Sequence, residues 1–64
     1  MKKLINLKEV RKSLGISQMN LAKKVGVSLL TVQLWEHGIS NPNEENREKL
    51  EATIKELKRE RDAK

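Results

Sequence analysis

The sequence predicts an all-α fold, a small four-helix domain whose last helix is long. Three observations carry the prediction. Apolar residues recur at helical spacing in four separate segments. A residue suited to capping a helix start, Asn6, Ser17, Ser28 or Asn43, precedes each segment. Helix-ending signals follow the first three, at Gly15, at Gly26 and at Gly38 with Asn41-Pro42-Asn43 beyond it. A chain of 64 residues has room for one domain with a modest core.

The first helix is expected over residues 4–14. Leu7, Val10 and Leu14 recur at i, i+3 and i+7, with Lys8, Glu9, Lys12 and Ser13 outside. Asn6 followed three residues later by Glu9 has capping-box spacing, with Asn in place of Ser or Thr. On that reading Leu4 and Ile5 precede the helix as an ordered arm. Gly15 ends the helix, and Ile16 can fold back onto its apolar face.

The second helix is expected over residues 18–25, with Ser17 as its cap and Leu21, Ala22 and Val25 as its apolar face. Val25-Gly26-Val27 makes the turn that follows, where glycine enters a left-handed conformation without steric penalty. The third helix is expected over residues 29–37, capped by Ser28. At about 100° per residue, Ser28, Val32, Trp35 and Ile39 share one side. Leu30, Leu34 and His37 lie roughly opposite, and Leu29 and Gln33 lie on a flank. Ala22 is small enough to let two helix axes cross closely. Helix, short Gly-containing turn and second helix at a steep angle form a helix-turn-helix motif.

Pro42 bars a continuous helix from upstream, so a fourth helix starts near Glu44 and runs to about residue 62. Glu44 and Glu45 suit its positive end. Leu50, Ile54 and Leu57 form a short apolar stripe that can close the bundle over the first and third helices. Glu51 and Lys55 lie within ion-pairing reach on its surface. The turn from Arg59 onward has no apolar anchor except Ala63 and is expected to fray.

Gln18, Leu21, Ala22, Val25, Gly26, Val27, Val32 and Trp35, with Trp35-Glu36-His37-Gly38 and then Pro42, resemble the lambda-repressor-like (XRE/Cro) helix-turn-helix family over roughly residues 7–45. The resemblance implies a lambda-repressor-like domain that binds DNA. It implies an ion pair between Arg11 and Glu36 that also turns the guanidinium towards a phosphate. It implies that Gln18 touches both a phosphate and the third helix, and that Ser28 lies near a phosphate. The family reads bases with the positions held here by Leu29, Leu30, Gln33 and Leu34. Ser17, beside the unpaired N–H groups that open the second helix, and His37, at the end of the third, complete the candidate DNA-binding residues. The family usually has two shorter helices where this chain has one long, charged segment.

Three leucines among four reading positions depart from the usual polar readers. Leucine cannot hydrogen-bond a base edge, but it can contact the methyl group of thymine; Gln33 can bond adenine bidentately. An A·T-rich half-site is therefore expected. Three leucines on a wet helix face equally resemble a protein-binding patch.

The net charge of +5 lies wholly in residues 1–43, which hold seven basic and two acidic side chains. Residues 44–64 carry seven of each sign. A basic excess confined to the part of the chain that contains the motif is what phosphate binding requires. With no Cys, one His and no Gly-rich phosphate loop, the chain offers no catalytic or metal-binding constellation, so no enzyme activity, metal or cofactor is expected. No apolar stretch can span a membrane and no signal-peptide core is present, so a soluble, cytoplasmic protein is expected.

The expected function is sequence-specific binding of double-stranded DNA by a transcriptional regulator, with helix 3 in the major groove. Repression, and a bacterial, phage or mobile-element setting, are implied by the resemblance alone. The alternative is a protein-interaction module, such as the antitoxin partner of a toxin, using the leucine face of helix 3 or helix 4. A homodimer on DNA is expected, with the stripe of helix 4 as candidate interface. If Arg11–Glu36 is a surface pair, worth about 0–1 kcal/mol, Arg11→Ala weakens DNA binding more than folding. A Gln18 that serves phosphate gives a Gln18→Ala variant weaker on all sequences alike.

Overall fold

The computed structural model describes residues 6–63 and contains, among them, four helices and no strand. These are α1 (Leu7–Ser13), α2 (Gln18–Val25), α3 (Leu29–Glu36) and α4 (Glu44–Asp62).

Each helix opens on a capping side chain. Asn6, Ser17, Ser28 and Asn43 have extended backbones. Their side-chain oxygens accept the backbone N–H of Glu9 at 3.2 Å, Asn20 at 3.1 Å, Thr31 at 3.1 Å and Asn46 at 2.8 Å. Each cap satisfies a donor that the helix itself leaves unpaired, worth about 1 kcal/mol. The Asn6 cap is why α1 begins at Leu7 rather than at residue 4. The arm expected at Leu4 and Ile5 lies outside the described residues.

The first three helices close in one way. Gly15, Gly26 and Gly38 all have positive φ, and the residue after each reaches back five positions. Ile16 N–H bonds the Arg11 carbonyl at 3.4 Å, Val27 N–H the Ala22 carbonyl at 3.0 Å, and Ile39 N–H the Leu34 carbonyl at 3.0 Å. These are Schellman closures, which satisfy carbonyls that would otherwise be orphaned. One of them overturns an expectation. Ile39 was placed beside Val32 and Trp35 by helical rotation, yet it is 72% exposed. Gly38 takes the chain out of the helix first, so the rotation of 100° per residue no longer applies at Ile39.

The core consists of Leu7, Leu21, Ala22, Val25, Val32, Trp35, Leu50 and Ile54, with Val10, Leu14, Ile16, Val27 and Leu57 packed around it. α2 lies against α3 and α4, and α1 against α3. Ala22, buried, is the small residue of the central helix. Leu50 and Ile54 are buried in this core and Leu57, half-buried, packs against it, so the apolar stripe of α4 faces the bundle. One helix of 19 residues stands where the resemblance suggests two. Beyond Leu57 every described residue of α4 is exposed.

Among the described residues, the surface pairs on α4 are Glu45–Lys49 at 3.7 Å, Glu56–Arg59 at 2.9 Å and Arg61–Asp62 at 3.4 Å; Glu51 and Lys55 are not paired. Such exposed contacts add little stability.

Candidate nucleic-acid interface

The helix-turn-helix is α2, the turn at Gly26, and α3. Gly26 has φ +92° and ψ 32°, and nothing lies within 4 Å of where a β-carbon would stand. Glycine is therefore required by backbone conformation and not by crowding. The turn sets α3 so that Val32 and Trp35 face the core and Leu30 faces outward, with Leu29, Thr31, Gln33 and Leu34 half-buried between.

A hydrogen-bonded chain ties α1, α2 and α3 together behind that surface. Arg11 Nε donates to Glu36 Oε2 at 2.6 Å, and its Nη2 donates to Oε1 at 3.3 Å. Arg11 Nη1 donates to the Ile16 carbonyl at 3.0 Å. Gln18 Nε2 donates to Glu36 Oε1 at 2.9 Å, and Gln33 Nε2 donates to Gln18 Oε1 at 3.4 Å. The Arg11–Glu36 pair implied by the resemblance is present, but it is no surface pair. The side chains are 12% and 3% exposed. The expectation that Arg11→Ala weakens DNA binding more than folding rested on a surface pair; with both side chains largely enclosed, losing Arg11 leaves a poorly solvated carboxylate unpaired and costs folding more than a surface pair would.

Burial raises the pKa of the Glu36 carboxyl, and this is the largest single influence on it. The hydrogen bonds from Arg11 and Gln18 and the positive charges of Arg11 and Lys8 together outweigh burial. They hold the carboxyl below its ordinary value. Glu36 is therefore a carboxylate that only accepts hydrogen bonds. Among the described residues, no buried side-chain nitrogen or oxygen lacks a partner.

The nine candidate residues divide into groups. Arg11, Gln18 and Gln33 meet in the chain just described. Arg11 spends three of the five N–H groups a guanidinium carries on the protein itself. Ser17 and Ser28 are exposed caps whose hydroxyls already accept a backbone N–H, and Ser28 Oγ also lies 2.9 Å from Thr31 Oγ1. His37 is exposed and closes α3, its backbone N–H bonding the Gln33 carbonyl at 3.0 Å. The leucines do not behave alike. Leu30 is 62% exposed, whereas Leu29 and Leu34 are half-buried, though neither belongs to the core cluster. The wet leucine face is thus narrower than helical rotation alone suggests.

Two partners were not anticipated from the sequence: the Ile16 carbonyl and Thr31. The contact of Gln18 with the third helix was implied by the resemblance, and the structure gives its residues as Gln33 and Glu36. Ile16 lies in the connection after α1, where no periodicity signals a contact. Thr31 lies three residues after Ser28, a spacing at which helical side chains meet.

Lys8, Lys12, Lys23 and Lys24 are exposed. α3 itself carries no basic residue. Among the described residues no helix is long and apolar enough to cross a membrane.

No curated protein and no solved structure matches the chain. A sequence profile of the helix-turn-helix family matches residues 7–59, from the first residue of α1 to near the end of α4. The match spans the caps at Ser17, Ser28 and Asn43, the turn, the Arg11–Glu36 pair and most of the long last helix. The chain belongs to the lambda-repressor-like (XRE) helix-turn-helix family of DNA-binding regulators.

Proposed function

We propose that the protein is a sequence-specific regulator that binds double-stranded DNA and acts as a repressor by occupying its site. α3 enters the major groove, where Leu30, flanked by Leu29, Gln33 and Leu34, meets base edges. Ser17, Gln18 and Ser28, at the N-terminal ends of α2 and α3, face phosphates together with His37 and the free N–H groups of Arg11. The observation that carries this reading is the division of α3. Val32 and Trp35 anchor it in the core, while Leu30 stands in solvent on a helix locked in place through Glu36.

Selection from random duplexes, followed by titration of the selected site at several salt concentrations, tests the proposal. One enriched motif is expected, with affinity falling linearly on a log–log salt plot by about 0.9 per phosphate neutralised. Absence of enrichment together with a flat salt response rejects it.

A second reading has its own support in the exposure of Met19 (52%), Leu30 (62%) and Ile39 (72%). On this reading the chain is a protein-interaction module, such as an antitoxin that caps a toxin. A stable protein complex, with no salt-dependent DNA binding, favours it.

A further inference from the structure

The hydrogen bonds linking Glu36, Gln18 and Gln33 run in one direction. A carboxylate can only accept, so Gln18 must turn its nitrogen to Glu36 Oε1, and does so at 2.9 Å. The Gln18 carbonyl oxygen then faces the other way, and it too can only accept. Gln33 must therefore turn its own nitrogen inward, at 3.4 Å. That bond is long, but the reversed Gln33 amide would set two carbonyl oxygens against each other. Repulsion decides the orientation even where the attraction is modest.

An amide nitrogen carries two N–H groups. The Gln33 amide makes no other hydrogen bond among the described residues, so its carbonyl oxygen and its second N–H remain as an acceptor–donor pair for an outside partner. That pair matches the N6–H and N7 of adenine in the major groove. The source of the order is well protected. Glu36 is 3% exposed and held by Arg11, which is anchored in turn on the Ile16 carbonyl. Were residue 36 a neutral amide, it could donate to Gln18, and every amide downstream could reverse.

We propose that Glu36 and Gln18 are positioning residues that fix the donor–acceptor order of the Gln33 amide, so that a buried charge which never touches DNA sets the base preference at one step of the site. The inference rests on the reading role of Gln33 proposed above. It changes what Gln18 is expected to do. A Gln18 that served phosphate alone would, when replaced, weaken all sequences alike; as a relay it also carries a loss confined to one base pair.

The experiment measures affinities for the selected duplex and for duplexes with each base pair replaced in turn. It compares the native protein with Gln33→Ala, Gln18→Met and Glu36→Gln. A bidentate contact is worth about 1–3 kcal/mol, or roughly 5–150-fold discrimination. Gln33→Ala should erase that discrimination at one step and so identify the step. Gln18→Met and Glu36→Gln should each remove most of it at the same step and leave the ratios at other steps in place. Placing 7-deazaadenine there should weaken the native protein and leave Gln33→Ala unaffected. Gln18→Met keeps the Arg11–Glu36 pair, so it decides the matter if Glu36→Gln does not fold. Should Gln33→Ala erase the discrimination while Gln18→Met preserves it, the relay is overturned and Gln33 remains a reader. Should Gln33→Ala change no step, both the reader and the relay are overturned.

Discussion

At the scale of single residues, the decisive quantity is the low exposure of the Arg11 and Glu36 side chains, 12% and 3%. Truncating one partner of a fully buried pair costs about 3–5 kcal/mol and of a surface pair about 0–1 kcal/mol, and this part-buried pair falls between them. A domain of 64 residues has a total stability of about 3–10 kcal/mol. Arg11→Ala is therefore expected to lose more than about 1 kcal/mol of that stability, read as a lower urea midpoint. A loss below about 1 kcal/mol, the range of a surface pair, would contradict this. The same pair sets an acid limb. The folded carboxyl of Glu36 titrates below its ordinary value. Its contribution is then complete above the ordinary glutamate pKa of about 4.3 and is lost as pH falls through the lower folded value. Stability against pH should drop in that window for the native protein. The step should be smaller in Glu36→Gln, which has no carboxyl to protonate; parallel curves would exclude Glu36 as the cause.

At the scale of the element, the turn and the outward face of α3 make separate demands. Gly26→Ala meets no steric obstacle, so only the left-handed backbone opposes it. That conformation costs alanine about 1–2 kcal/mol, partly offset by a less flexible unfolded chain. A net loss near 1 kcal/mol lowers the Tm of a domain this size by roughly 4–8 °C, while Gly26→Asn should lose less because Asn tolerates the conformation. An unchanged Tm for Gly26→Ala would show that the turn relaxes. Leu30 presents the reverse case. It is mostly exposed, so Leu30→Ala should change stability by no more than about 0.5 kcal/mol. If Leu30 meets thymine methyls, the variant loses DNA affinity nonetheless. Replacing thymine by uracil in the site should then cost the native protein a fraction of the roughly 1–3 kcal/mol of a mismatched pair. Full tolerance of both changes would turn this face over to a protein partner.

At the scale of the whole molecule, the folded charge distribution and the fate of the α4 stripe matter most. Arg11 and Glu36 neutralise each other, while Lys8, Lys12, Lys23 and Lys24 are exposed on α1 and α2. Leu50 and Ile54 are consumed by the core, which leaves α4 no apolar seam for a second copy. The free protein is accordingly expected to sediment as a monomer. On DNA, two copies should occupy half-sites about 34 Å apart or a multiple of that, giving a two-fold symmetric footprint. A dimer persisting at micromolar concentration without DNA, or an asymmetric footprint one half-site long, would contradict this arrangement.

What the sequence determined by itself was local. Caps announce themselves by residue type, because Asn and Ser side chains reach a backbone N–H three residues away whatever the tertiary fold. Gly26 announces a left-handed residue, and the spacing of Leu21, Val25, Val32 and Trp35 announces buried faces. Most of the core therefore followed from residue types and periods, and the family from a resemblance carried by those same residues. Tertiary structure decided whatever depends on residues distant in the chain. Helical rotation placed Ile39 inside, but the closure at Gly38 put it in solvent. Rotation also grouped three leucines on one wet face, and packing half-buried two of them. Neighbouring residues gave no means of telling a surface ion pair from a buried one. That distinction required α1, α2 and α3 to enclose Glu36 together, and a side chain's dielectric surroundings are set by all the elements around it.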